Sequence, residues 1–393
     1  MNVLLLYHFF YPDTVVSARI MSDLAVELAQ KGHSITVYTS NRLIRKDNKL
    51  CKQEEWNKVL IRRFSRTGFS QSNNIGRIIN SISLQINWIC HYFFERKKYD
   101  TIVVGTDPQF AWMIFPFIKL INRKVKLIHW CFDLFPEAII ANSSICVKAL
   151  ASLTKIYAFL CYRACDIIVD IGECMRKRLK KYNKNIDCCT LTPWALKEPD
   201  SIPKPDDKTR EELFGKAKIG LLYSGTVGYA HNIKPFVELA RECREKGIDA
   251  AFCFAGYGNC YHEQTSIITN EDTNIKLAGF ASEEELEKRL AAADIHLVSL
   301  REGWEGIVVP SKFFGSLAMG RPVIFSGSED SAIAQWCKEY SVGLLLDKNA
   351  VQFLTQTADN PSSIESLKEN AFNTYHKFFS KDIVCNNWNE LFL

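Results

Sequence analysis

The chain carries 14 cysteines, but their spacing builds neither a metal site nor a disulfide framework. There is no repeated Cys-x-x-Cys pair and no histidine partner at zinc-finger spacing. Cys161 and Cys165 fall on a helical pattern, and Cys188 and Cys189 are adjacent. A zinc-stapled module and a disulfide-dense secreted domain are thereby excluded. Reduced, mostly buried thiols in a cytoplasmic protein remain. Long apolar runs are lacking too. The most apolar internal stretch, Phe110 to Ile118, meets Lys119 at once, then Arg123, Lys124 and Lys126, and is too short to span a bilayer. The opening Met1–Tyr7 run has no basic flank and no small-residue cleavage site, so it reads as a first buried strand.

What is present is a balanced globular composition. The 393 residues are 47% hydrophobic and 24% charged, enough for two α/β domains of about 200 residues, each with its own core. Charge is unevenly divided. Residues 1–200 hold 29 Lys and Arg against 17 Asp and Glu, about +12, which leaves about −7 for the remainder. A basic first half suits an anionic partner such as a phospholipid surface or a phosphorylated acceptor. Between Asn73 and Lys98, Ile75, Ile78, Ile79, Ile82, Ile86, Ile89 and Phe93 recur at helical spacing. Trp88, Tyr92, Arg77, Arg96, Lys97 and Lys98 stand near them. This reads either as a packed surface helix with a solvated basic end or as a contact with a membrane surface.

Short apolar runs alternate with helical patterns, the rhythm of a parallel sheet covered on both faces. Strands are expected at Val3–Tyr7, Ser34–Thr39, Val59–Phe64, Thr101–Val104, Lys126–Trp130 and Asp166–Asp170, and a helix at Ser17–Gln30 ended by Lys31-Gly32. Pro193, Pro199, Pro203 and Pro205 mark a linker. Beyond it the alternation restarts, with strands at Ile219–Tyr223, Ala250–Phe254, Ile275–Ala278, Ile295–Val298 and Pro322–Phe325. The expected organisation is two facing Rossmann-like α/β domains with a cleft between them, residues 1–198 and 206–375. A terminal helix over 376–393 is expected to cross back to the first.

Three loops could carry chemistry. Tyr223-Ser-Gly-Thr-Val-Gly-Tyr-Ala-His-Asn232 follows a strand and precedes a helix, so Gly225 and Gly228 would let backbone approach a bulky ligand beside a helix N-terminus. Phe254-Ala-Gly-Tyr-Gly258, with Gly256, has the same form. Ser299 to Lys312, which includes Arg301 and Gly306, leads into a helix with Ser311 as its N-cap. Lys312 then sits in the first turn, against the helix dipole. A cation placed against its local preference hints at function. An anion docked there would meet helix N–H groups, a hydroxyl and an ammonium.

The run Pro310-Ser-Lys-x-x-Gly315-x-x-Ala318-x-Gly-Arg-Pro-Val323, with the Tyr223 loop and Trp130-Cys-Phe-Asp-Leu-Phe-Pro-Glu137, resembles the family 4 glycosyltransferases of bacterial polysaccharide assembly. Tyr11-Pro-Asp13, Ser17-Ala-Arg19, Leu24-Ala-x-x-Leu28 and Lys31-Gly-His33 are similar to the same group. The resemblance implies a retaining hexosyltransferase of GT-B architecture. It would use a nucleotide sugar, UDP-linked, and pass the sugar to a lipid-linked or oligosaccharide acceptor at the inner face of the membrane. The donor would lie on the second domain, with Gly225, Thr226, Gly228, Arg301, Gly306, Ser311 and Lys312 about its diphosphate. Gly256 would complete the donor loops, and Gly279 and Phe280 would lie beside the base. Glu302 and Glu305 would face the sugar hydroxyls. On the acceptor side it implies Asp133 and His129 as catalytic candidates, with His8 and Arg19. No Asp-x-Asp pair is present, so the implied chemistry needs no metal and no cofactor, and no nucleic-acid motif occurs.

The chain also departs from the family pattern. Many members carry two glutamates at a fixed spacing; the second place holds Gly315 here, with Glu329 a distant substitute. Thr226 and His231 stand where many members have Arg and Lys, which throws phosphate charge onto Lys312, with Arg301 or Arg321 as helpers. Other readings stay open: a sugar-nucleotide 2-epimerase of the same fold, or a silent nucleotide-sugar-binding homologue. Asp133 reads equally as a turn residue, and His8 and His129 as core histidines.

Overall fold

Val3 to Leu6 are buried on both sides, because the strand they form runs through the middle of a sheet covered on each face. The computed structural model describes residues 1–44, 49–70, 74–142 and 145–392. Asn73, where the amphipathic pattern begins, and Leu393, where the tail ends, lie outside the described residues. The chain divides into two units: Met1–Thr192 together with residues from Val384 onward, and Pro193–Ile383.

In the first unit β1 (Asn2–Leu6), β2 (Ser34–Ser40), β3 (Gln53–Trp56), β4 (Val59–Phe64), β5 (Thr101–Gly105), β6 (Lys126–Trp130), β7 (Ile167–Asp170) and β8 (Asp187–Thr190) form one sheet. Its order is β3-β4-β2-β1-β5-β6-β7-β8. Every neighbouring pair is parallel except β3 and β4. That hairpin turns through Asn57 and Lys58, both at positive φ, as a two-residue hairpin loop requires. The chain leaves β1 toward β2 and leaves β5 toward β6, so the order reverses between β1 and β5. Loops at such a reversal splay apart and leave a crevice at the carboxyl ends of the strands.

The helix Val16–Gln30 ends at Lys31, and Gly32 takes a φ of +91°. The helix Asn74–Glu95 links β4 to β5, and it does not bury the isoleucine stripe. Leu84, Trp88 and Tyr92 face the core, while Ile75, Ile79, Ile82 and Ile86 face solvent. Residues near the end of the chain complete this unit. Trp388 is fully buried with its ring 4.9 Å from that of Trp130, and Lys126 Nζ donates to the Leu391 carbonyl at 2.6 Å.

The second unit holds β9 (Ile219–Thr226), β10 (Ala250–Tyr257), β11 (Ile275–Ala278), β12 (Ile295–Ser299), β13 (Val323–Ser326) and β14 (Gly343–Leu345). All are parallel, in the order β11-β10-β9-β12-β13-β14. Here the order reverses between β9 and β12. The linker is fastened to this unit by Arg321, which is buried and donates to the carbonyls of Met319, Pro203 and Ala291 at 2.7–2.8 Å. Gly320 beside it has a φ of +64°, and a Cβ there would stand 2.8 Å from Ile202. Arg321 is therefore a strut for the Pro-rich segment and not a helper for phosphate.

Candidate functional site

The loops at the two reversals gather most of the residues singled out from the sequence. In the second unit β9 ends at Tyr223-Ser-Gly-Thr226, with Gly225 at a φ of +117° that a side chain would resist. β12 ends at Ser299, and the following loop returns to the short helix Lys312–Ala318. Lys312 reaches back across this corner. Its Nζ donates to the Thr226 carbonyl at 2.8 Å, lies 3.3 Å from His231 Nε2, and sits 5.2 Å from the centre of the Tyr223 ring. Among the described residues no carboxylate pairs with it. The side chain keeps partial access to solvent, but its dense surroundings lower the ammonium to about 7.

His231 completes the corner. Nδ1 hydrogen-bonds the Ser299 carbonyl at 3.0 Å, and burial, followed by the Lys312 charge, lowers it to about 3. The ring is therefore neutral near pH 7, and with Nδ1 protonated toward Ser299, Nε2 accepts from Lys312. Arg301 braces the same loop, donating from Nε to the His231 carbonyl at 2.9 Å and from its backbone N–H to Ala230.

Other expected donor residues separate into those at this corner and those with different work. Ser311 stands at the N-cap position but makes no side-chain cap; the first-turn amides of Phe313 and Phe314 bond the carbonyls of Pro310 and Ser311. Its hydroxyl is exposed on the loop and does not cap. Gly306, at a φ of +73°, shapes the 300–311 loop, on which Glu302 is exposed and Glu305 half-buried. Gly228, Gly279 and Gly315 each have open space where a Cβ would point. Gly256 is different, since a Cβ there would overlap the Gly225 carbonyl oxygen. That glycine serves the close passage of two loops. Phe280 is exposed and meets Tyr257 edge-on at 4.9 Å.

In the first unit the reversal brings His8, after β1, against Asp107, after β5. His8 is buried, with its ring stacked 3.9 Å over Phe9 and Nδ1 3.1 Å from Asp107 Oδ1. Its Nε2 is buried and has no hydrogen-bond partner among the described residues. Asp133 follows β6 in the neighbouring loop, where Thr106 Oγ1 accepts from the Phe132 N–H at 2.7 Å. Its dense surroundings, and then the Asp107 charge, raise the Asp133 carboxyl to about 6, with Arg77 opposing. Arg19 stands half-buried in the first turn of Val16–Gln30.

His129 does not join this group. It lies inside the core on β6, its Nδ1 2.8 Å from the Val104 carbonyl and its ring edge-on to Phe115. Burial lowers it to about 4. It is a satisfied core histidine, which corrects the expectation of a catalytic role. Asp107, Thr106 and Arg77 were missed. The signal for the first two was Gly105-Thr-Asp-Pro108 directly after a buried strand, the position at which such sheets present ligands. Among the described residues, no three His, Cys, Asp or Glu side chains are grouped to hold a metal ion.

Residues 218–359, which cover both loops of the β9–β12 corner, match the sequence model of the family described as glycosyl transferases group 1. A probable glycosyltransferase of Pseudomonas aeruginosa, WbjE, is 28% identical over 255 residues; the match covers 63% of this chain and 62% of that protein. Among solved structures, the sucrose-phosphate synthase of Thermosynechococcus elongatus has a TM-score of 0.75 at 13% identity, covering 100% of this chain and 98% of that one. Anabaena HepE, solved in complex with UDP and glucose, has a TM-score of 0.67 at 11% identity, covering 100% and 99%. These two likenesses concern the fold alone. With the parallel sheets, the reversal-point loops and these likenesses taken together, the chain carries the GT-B fold, and residues 218–359 carry the sequence pattern of the glycosyl transferases group 1.

Proposed function

We propose that the chain is a retaining glycosyltransferase that moves a hexose from a UDP-sugar to a sugar acceptor, lipid-linked, in the assembly of a cell-surface polysaccharide. One observation carries the reading: the Lys312 ammonium stands at the β9–β12 reversal beside Gly225 and Thr226, and among the described residues no carboxylate neutralises it. A diphosphate supplies the missing negative charge. Thr226, Gly228 and the exposed Ser311 hydroxyl would then bind its oxygens, with Arg301 holding the loop in shape. Glu302 and Glu305 would meet the sugar hydroxyls, and Gly279 with Phe280 the base, Phe280 offering an aromatic face.

On the first unit His8, Asp107 and Asp133 would receive the acceptor. The reserved His8 Nε2 suits a hydroxyl, and Asp107 holds the imidazole in one orientation. In transfer, the acceptor oxygen bonds to the anomeric carbon as its bond to the diphosphate breaks. The acceptor proton leaves with the diphosphate oxygen. The chain contributes orientation and stabilisation of the departing charge. The WbjE likeness supports glycosyl transfer, and the UDP bound in the HepE structure supports the donor class.

The test is a panel of UDP-, GDP- and ADP-sugars, scored by melting temperature and by slow release of free sugar. A shift and hydrolysis with UDP-hexoses are expected. No shift with any donor would refute the reading, and a shift without turnover in the presence of any lipid-linked sugar would favour a silent binder.

A further inference from the structure

Three helices of the first unit lie on connections that advance in the same direction across the sheet, β4 to β5, β5 to β6 and β6 to β7. Right-handed crossovers put Asn74–Glu95, Phe115–Ile121 and Ile145–Arg163 on one face. They pack side by side. Asn122 Nδ2 donates to the Arg96 carbonyl at 2.9 Å, tying the ends of the first two, and Tyr157 OH donates to the Met113 carbonyl at 3.2 Å on the third. Their inward sides supply core residues such as Trp88, Phe115 and Tyr162.

Their outward sides are apolar as well, which a solvated helix face is not. On the first helix Ile75, Ile79, Ile82 and Ile86 form a stripe at helical spacing, with Ile75 70% exposed, and Phe94 is 82% exposed near the helix end. On the second, Phe117 and Leu120 point outward, Leu120 at 74%. On the third, Leu153, Ile156 and Leu160 make a second stripe, Ile156 at 70%. Exposed apolar side chains therefore stand on all three of these adjoining helices.

Cations edge this surface. Arg96, Lys97 and Lys98 end the first helix, and the Arg96 guanidinium lies 5.1 Å from the Phe93 ring centre. Arg123 and Lys124 follow the second and are exposed. Beside the third, a cavity of about 510 Å³ is lined by Ile156 and Phe159 together with Lys155, Arg178 and Lys181, against the single carboxylate of Glu137. Arg163 lies 4.5 Å over the Phe159 ring. Lysine and arginine stems beside exposed aliphatics, with charged heads outward, match an acyl layer under anionic headgroups. A second copy of the same surface would bring these cations against one another, so charge complementarity selects the lipid.

We infer that this three-helix face is a docking surface for an anionic lipid bilayer, with the isoleucine and leucine stripes entering the acyl boundary and the flanking cations meeting phosphate headgroups. The chain then binds a membrane without crossing it; among the described residues no helix is long and apolar enough to span one. The inference concerns the first unit alone and does not depend on donor binding by the second.

Flotation with vesicles of equimolar phosphatidylglycerol and phosphatidylcholine tests it. The wild-type chain is expected to float at low salt, less as salt rises, and hardly at all with phosphatidylcholine alone. The pair Ile86→Asp and Ile156→Asp should weaken partitioning roughly tenfold or more, the scale of large apolar side chains returned to water. Both positions are solvent-facing, so the melting temperature and UDP-sugar binding of the variant should equal those of wild type. Absence of flotation at low salt, or flotation of the variant equal to wild type, would overturn the inference. So would a concentration-dependent dimer that the same two substitutions dissolve, since that assigns the face to a second copy.

Discussion

The ammonium of Lys312 and the carbonyl of Thr226 are joined at 2.8 Å across the point where the second sheet reverses its strand order. The contact holds the charge in place without neutralising it, since a carbonyl dipole offsets only part of the cost of withdrawing a cation from water. The neighbouring His231, being neutral, accepts a hydrogen bond from the ammonium but adds no counter-charge. If this corner holds the donor diphosphate as proposed, the uncompensated charge has measurable consequences.

The first is a pH dependence of donor affinity. Burial holds Lys312 near 7 in the ligand-free chain, and a bound diphosphate raises it toward the ordinary ammonium range. Binding therefore takes up a proton above pH 7. UDP-sugar affinity should be greatest below pH 7 and fall as pH rises, and calorimetry in buffers of different ionisation enthalpy should register the uptake.

The same shift sets a stability difference. The folded value lies below the unfolded one, so between about pH 7 and about pH 10 the unfolded chain binds more protons at this site. That contribution to stability rises with pH over the window. Relative to Lys312→Met, the ligand-free wild type should gain melting temperature as pH increases through it; parallel curves would contradict the assignment.

Asp133 supplies the opposite sign on the first unit. Its carboxyl is raised to about 6 by its surroundings and by Asp107, so it ionises later than an ordinary aspartate. If the acceptor is held by the ionised form, kcat/KM should climb through about pH 6. Asp133→Asn should remove that limb as well as lower the plateau, while His129→Leu, a core change, should leave the profile's shape intact.

Arg321 separates structural from functional cations. Arg321→Met strips three backbone carbonyls of their donor and should lower stability by about 2–4 kcal/mol, the range for breaking a buried charged hydrogen-bond cluster. Donor affinity of the folded variant should be unchanged, as read by chemical denaturation beside a binding titration.

These contrasts mark how far the residues alone could be read. Strands such as Val3–Leu6 and Ile219–Tyr223 announced themselves, because parallel strands buried on both faces are continuous apolar runs. Gln53–Trp56 did not, being a charged edge strand paired on one side. The Gly320-Arg-Pro-Val323 run looked like part of an anion cradle because a motif records spacing and not direction; in space Arg321 turns to the linker. The sequence already set His8 just after a strand and His129 inside one, but it did not show that the loop after β1 borders the reversal, which strand order decides. The isoleucine stripe likewise had the right period for a packed helix, and periodicity does not say which apolar face turns inward.

The most direct test of the account titrates a UDP-sugar into wild-type and Lys312→Met chains by calorimetry at pH 6, where Lys312 is charged. Saturable binding by wild type is predicted, weaker by about 1–3 kcal/mol in the variant, the scale of a charged hydrogen bond. Equal affinity in the two chains would remove Lys312 from the diphosphate site and with it the proposal that the β9–β12 corner holds the donor.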